Sequence, residues 1–170
     1  MATSSLSSTD EMHKLSNQWT IYAHLPHDTD WSLGSYKTLF STSKMEEFIT
    51  VTESLPDQLI SNCMLFIMKD NIKPIWEDTH NKNGGCFSYK ISNKLVPSIW
   101  RNFSYKLVGN SLLQEGTKNN NINGITISPK KNFCIIKIWF SDCSNQDPET
   151  IDYFKGVDAR GSLFRRHFTR

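Results

Sequence analysis

The hydrophobic period changes repeatedly along this chain of 170 residues, and the order of the changes restricts the fold more than any motif does. From Gln18 to Ala23, Trp19, Ile21 and Ala23 alternate with Thr20 and Tyr22, which predicts a first strand. His24 to Gly34 reads as a loop, with Pro26 and clustered Asp and Thr. Lys44 to Leu55 switches to helical spacing, with Met45, Phe48, Ile49 and Thr52 on one face. Ser43 with Glu46 three residues on resembles a capping box, and Pro56 ends the segment. Cys63 to Met68 reads as a buried strand, Lys73 to Trp76 as a short strand, and Asn81 to Gly85 as a turn. Cys86 to Ile91 alternates again. Lys94 to Val108 is the clearest helix: Val96, Ile99, Trp100, Phe103 and Leu107 share a face, Pro97 fits the first turn and Gly109 the end. Lys118 to Asn123 reads as a loop. Ile122 to Ile127 and Phe133 to Phe140 read as strands joined by a hairpin turn, and Pro148 to Phe154 as a short helix. This order predicts an α+β fold with a mostly antiparallel sheet.

Residues 1 to 11 are polar and Ser/Thr-rich, the composition of a disordered tail, which leaves residues 12 to 170 as a single domain. Four cysteines without CxxC spacing argue against zinc, and no cofactor is expected. No apolar stretch resembles a signal or a membrane span, so a cytoplasmic, monomeric protein with reduced thiols and no membrane partner is expected. The net charge of +2 is uninformative, but Lys155, Arg160, Arg165, Arg166 and Arg170 face only one acid after Phe154. This is a local basic patch suited to phosphates, or an ordinary solvated tail.

Two tryptophans stand apart from the apolar runs. Trp31 follows His27-Asp28-Thr29-Asp30, and Trp76 precedes Glu77 and Asp78. Two indoles and a carboxylate can hold a flat cationic aromatic ring by stacking and cation–π attraction, with a bidentate hydrogen bond to a guanine edge. Lys130 and Lys131 could hold an acidic tail on that base, and Trp139 could touch an added methyl group. Each feature alone has a plainer reading: a lid over the core, a solvated turn, a hairpin tip. Trp19 and Trp100 are assigned to the core. No Walker loop, GxGxxG, HExxH or GxSxG is present, and no catalytic residue is predicted.

The set resembles the translation initiation factor 4E family, which binds the 7-methylguanosine cap of messenger RNA. The resemblance runs from about His13 to Asn145. It rests on His13-Lys14-Leu15 with Trp19, on Ile72-Lys73-Pro74-Ile75-Trp76-Glu77-Asp78 with Asn81-Lys82-Asn83-Gly84-Gly85, and on Ile138-Trp139 with Cys143-Ser144-Asn145. Gly161-Ser162 with Arg165, Arg166 and Phe168 matches more weakly. The resemblance implies a curved sheet with helices on its convex face and the cap in the concave front. It implies that Trp31 and Trp76 sandwich the methylated guanine, that Glu77 pairs with N1 and N2, and that Trp139 meets the methyl group. Lys130 falls where the family has a phosphate-binding arginine, with Lys131 as substitute for the next lysine, and Arg160 and Arg165 are further phosphate candidates.

The family's convex face docks scaffold and repressor proteins. The corresponding positions hold His13, Lys14, Ile49, Arg101, Tyr105 and Gly109, and several of these depart from the apolar pattern. The expected partners are therefore capped messenger RNA and a divergent initiation scaffold or a repressor protein. The expected function is cap binding in translation initiation; the alternative is a cap-binding repressor or competitor that does not recruit the usual scaffold. An enzyme acting on capped ends is disfavoured, because no metal-ligand spacing or carboxylate-rich helix is present.

Overall fold

The computed structural model describes residues 12–117, 121–153, 155–157, 159–160 and 162–168. In chain order these form β1 (Lys14–His24), β2 (Tyr36–Lys44), α1 (Met45–Ser54), α2 (Asp57–Asn62), β3 (Met64–Lys69) and β4 (Gly85–Ser92). Next come α3 (Val96–Val108), β5 (Ile122–Pro129), β6 (Phe133–Phe140) and β7 (Leu163–Arg166). The strands make one curved antiparallel sheet in the order β2-β1-β3-β5-β6-β4-β7. The α+β reading of the sequence therefore holds.

Strand alternation sends side chains to two faces. One face carries Trp19, Ile21, Ile67, Phe87, Ile125 and Ile138, and the helices cover it with Phe48, Ile60, Trp100 and Phe103. Burying each of these large side chains stabilises the fold by roughly 1.5–3 kcal/mol, so this face anchors the helices. The opposite, concave face carries a smaller cluster of Tyr22, Phe66, Met68, Ile72, Cys86 and Trp139. No helix of the described residues is long and apolar enough to cross a membrane.

Several local expectations are corrected. β1 begins at Lys14 and keeps His24 in the strand. β2 has no counterpart in the sequence reading, because this edge strand is solvated along most of its length and shows no alternation. Ser43 lies inside β2, so it caps nothing; α1 starts after Lys44 without a side-chain cap, and the Glu46 carboxylate accepts the His13 backbone N–H at 2.8 Å instead. Pro56 not only ends one helix but precedes α2. Lys73 to Trp76 is not a strand but part of a tight loop. Helix α3 starts at Val96, two residues later than expected; Gly109 is its C-cap with φ −85°, and the left-handed residue is Asn110 with φ 55°. Pro148 to Thr150 makes only a 3-10 turn, and Phe154 lies outside the described residues. The basic C-terminal segment pairs with β4 as β7. The predicted tail, residues 1 to 11, also lies outside the described residues.

Candidate functional site

A cavity of about 310 Å³ opens on the concave face, lined by Trp31, Tyr36, Met64, Phe66, Pro74, Ile75, Trp76, Glu77 and Trp139. Trp31 and Trp76 are 56% and 46% exposed, whereas Trp139 is 3% exposed and forms part of the floor. Large indoles left half in water at the rim of an apolar cavity are poised to gain contact when a ligand enters.

The Trp31 loop is shaped by its aspartates. Asp28 accepts the Asp30 N–H at 2.9 Å, and Asp30 accepts the Ser32 N–H at 2.8 Å and the Ser32 hydroxyl at 3.0 Å. The Ser32 backbone and hydroxyl bonds hold the Asp30 carboxyl below its ordinary range. Trp31 lies flat on His24, with ring centroids 3.8 Å apart and 4° between planes. The His24 imidazole donates from Nε2 to the Asp30 carbonyl at 2.7 Å. A contact from Trp31 to the edge of Tyr36, and from Tyr36 to Phe66, ties the lid to the floor.

The Trp76 loop is built around Asp78 and Asn81. The Asp78 carboxylate accepts the Lys73 N–H and the His80 N–H, both at 2.8 Å. Burial raises its pKa, but these bonds and the His80 side chain win and hold it below the ordinary value. Asn81 is fully buried and donates to the carbonyls of Lys73 at 3.1 Å and Ile75 at 2.9 Å, while its own Oδ1 accepts from Asn123 at 3.0 Å. These bonds fix the backbone on either side of Trp76. Glu77 lines the cavity and has no hydrogen-bond or ion-pair partner among the described residues, so its carboxylate is available to a ligand.

His167, just past β7, stands behind this loop. Its Nδ1–H donates to the Asn81 carbonyl at 2.6 Å; its ring lies parallel to Trp76 at 6.1 Å and tilted against Trp139 at 4.9 Å. Its Nε2 is buried without a hydrogen-bond partner among the described residues, and so is the Trp139 Nε1. Burial pushes the His167 pKa down, against the raising effect of the Asn81 bond. The unfolded imidazole titrates near 6.5 and the folded one lower, so the unfolded chain binds the proton first as pH falls. The contribution is complete above about 6.5 and declines below that toward the folded value. Urea unfolding at pH 7.5 and 5.5 should show a loss in acid that His167→Gln reduces; equal losses in both proteins would contradict this role.

A sequence profile described as eukaryotic initiation factor 4E matches residues 14–155. The chain belongs to the eukaryotic initiation factor 4E family. Proteins of the family are binding factors, not enzymes, as expected. Among curated relatives, the Candida albicans eukaryotic translation initiation factor 4E is 26% identical over 149 residues, covering 82% of this chain and 69% of that protein. The homolog from Acanthamoeba polyphaga mimivirus is 26% identical over 136 residues, covering 68% of this chain and 50% of that protein. The solved structure of Schistosome eIF4E complexed with m7GpppG and 4E-BP has a TM-score of 0.69 at 21% identity, over 79% of this chain and 75% of that one. It shares the fold.

Trp31, Trp76, Glu77 and Trp139 thus meet at one cavity. The basic residues do not line it. Arg165 sits on β7 opposite Cys86, which in turn pairs with Trp139. Lys130 and Lys131 are exposed at the β5–β6 hairpin tip. The last rung before that tip, Pro129 with Cys134, is five residues from Trp139, about 17 Å along the strand. Arg160 is exposed in the loop before β7. Sequence reasoning missed Tyr36, Met64 and Phe66 in the lining and the two backing imidazoles, His24 and His167.

On the convex side, Ile49 is 41% exposed on α1 and His13 is held by Glu46. Gly109 is exposed at the end of α3, and the Tyr105 hydroxyl donates to Glu53. Arg101 was expected as a charge on an apolar patch. Its guanidinium instead donates to the Leu55 carbonyl at 2.8 Å, lies 3.5 Å from that of Thr52, and pairs with Asp57 at 2.9 Å. It satisfies the open C-terminal carbonyls of α1.

Proposed function

We propose that this protein binds the 7-methylguanosine cap of messenger RNA and acts in translation initiation. The observation that carries the reading is the convergence of Trp31, Trp76, Trp139 and the unpaired Glu77 on one apolar cavity. In this reading the two exposed indoles close on either face of the methylated base. Methylation makes the ring cationic, so each indole contributes stacking and cation–π attraction. Glu77 accepts from N1–H and N2–H₂, which selects guanine through a charge-assisted pair. The Trp76 backbone N–H meets O6, and Trp139 contacts the methyl group. Arg165, with Lys130, Lys131 and Arg160 farther out, supplies positive charge for the phosphates. A monomer acting in the cytoplasm fits this task.

A second reading, a cap-binding repressor or competitor, is favoured by Arg101. The solved Schistosome relative is complexed with a 4E-binding protein. In this chain the helix surface that the family resemblance assigns to such partners holds a guanidinium already committed to α1 and Asp57. Placing an apolar peptide over this partly buried ion pair would strip water from charges without a compensating partner.

Cap-resin capture from the native host tests both readings. The chain should be retained and should elute with 7-methyl-GTP but not GTP. Co-elution of an initiation scaffold supports the first reading and counts against the second. Elution with GTP as readily would contradict cap recognition.

A further inference from the structure

The concave face continues past the cavity as a lane along β4 and β6. On β6, Cys134, Ile136, Ile138 and Phe140 point into the helix-covered core, so Phe133, Ile135, Lys137 and Trp139 share the concave face. On β4, Phe87, Tyr89 and Ile91 point into that core, so Cys86, Ser88 and Lys90 face the lane. The register places Lys137 beside Ser88, Lys90 beside Ile135, and Ser92 beside Phe133. Trp139 and Phe133 are thus six residues apart, about 20 Å of strand.

The lane has the two components that single-stranded nucleic acid needs. The Lys137 ammonium lies 5.9 Å from the Trp76 ring centroid, at the edge of the cavity. At the far end, the exposed Lys90 holds its ammonium 4.4 Å over the half-buried Phe133 ring. Strands β4, β5 and β6 contain no aspartate or glutamate. None of these lysines forms a salt bridge among the described residues. Burial pushes the Cys86 thiol pKa up, while Lys137 and Arg165 oppose that rise, which places both cations near the same point of the lane. A cation at the cavity edge and, beyond it, a cation–aromatic pair, in a strip free of carboxylates, match backbone tracking plus base stacking.

We propose that this lane binds the first transcribed nucleotides of capped RNA, with Lys137 beside the cap's own phosphates, Lys90 on a phosphate beyond them and Phe133 as a stacking platform for a base. The proposal rests on the cap reading, because the cavity sets where the RNA chain begins. It goes further by making the affinity depend on the nucleotides beyond the cap. The shared face is sequence-tolerant, since every base has a stacking face and the strip offers few side chains able to read base edges.

The test compares 7-methyl-GTP with a capped pentanucleotide RNA, using the full chain and its Phe133→Leu and Lys90→Ala variants at several salt concentrations. Leucine keeps apolar bulk at position 133 while removing the ring, and thermal melts check that both variants fold. The capped RNA should bind the parent protein about tenfold tighter than 7-methyl-GTP, in keeping with one stacked base. Phe133→Leu should erase most of that gain and leave 7-methyl-GTP within about twofold, as expected for a platform outside the cap slot. Lys90→Ala should lower the salt slope for capped RNA by about 0.7, the loss of one single-strand phosphate contact. Equal affinity for the two ligands, or an advantage that survives both variants, would overturn the lane while leaving the cap reading intact. Failure of 7-methyl-GTP itself to bind would overturn both.

Discussion

Trp76→Ala should lower affinity for 7-methyl-GTP by at least about a hundredfold while leaving the domain folded. Removing one wall of the sandwich forfeits stacking of roughly 1–3 kcal/mol and a cation–π contribution of up to about 2 kcal/mol. Each 1.4 kcal/mol is about tenfold in affinity. The cost to stability is small by comparison, because the side chain is 46% exposed and the loop is held by Asp78 and Asn81. Calorimetric titration avoids reliance on the lost fluorophore, and a urea unfolding curve reports the fold. Affinity within about threefold of the parent would mean that Trp76 is not a wall of the binding site.

The second large effect is on the fold that positions the site. A Cβ built on Gly84 would lie 1.7 Å from the Phe140 carbonyl oxygen and 2.8 Å from its carbon. Both atoms are backbone, so no side-chain rotation relieves the clash. Gly84 also accepts the His167 N–H at 2.9 Å and donates to the Asn81 carbonyl at 2.9 Å. Gly84→Ala must therefore separate the Trp76 loop from β6 and release the segment that backs it. The expected loss exceeds about 4 kcal/mol, a large share of the stability of a single domain. At Gly34 the nearest atom to a built Cβ is the Ser32 Oγ at 4.0 Å, so Gly34→Ala serves as the near-neutral control. Urea midpoints for the two variants should differ widely, and similar midpoints would contradict the packing argument.

These two variants also mark what the sequence could and could not reveal. Trp31, Trp76 and Glu77 were legible because indoles and a carboxylate in polar loops lack a core to belong to. Trp139 was harder, since it alternates with the core side chains of β6 and only its face of the sheet makes it floor. Asn81 to Gly85 read as a turn, and the Gly84 N–H does donate to the Asn81 carbonyl; the close approach of Gly84 to the Phe140 backbone is a relation between distant segments that no local pattern carries. Tyr36 was missed with the rest of β2, whose solvated edge has no hydrophobic period. His24 and His167 were missed because their roles depend on stacking on Trp31, 7 residues away, and on Trp76, 91 residues away, where spacing says nothing. The convex face shows the reverse case. Arg101 was visible as an anomaly, yet its partners, the terminal carbonyls of α1 and Asp57, become apparent only when α3 packs beside them.

The site's architecture also explains why its exposed indoles are not merely loose. Trp31 rests on His24 and Trp76 is backed by His167, each nearly parallel to its imidazole. Such backing holds each ring plane before the ligand arrives and reduces the ordering cost of binding.

The measurement that bears most directly on the central claim is a titration of the unmodified protein by tryptophan fluorescence, with 7-methyl-GTP and with GTP under the same salt. The two ligands differ by one methyl group and the positive charge it creates on the ring. The sandwich predicts strong quenching by the methylated nucleotide and binding at least about tenfold weaker for GTP, the loss of cation–π attraction from two walls. Equal quenching and equal affinity for both would contradict it.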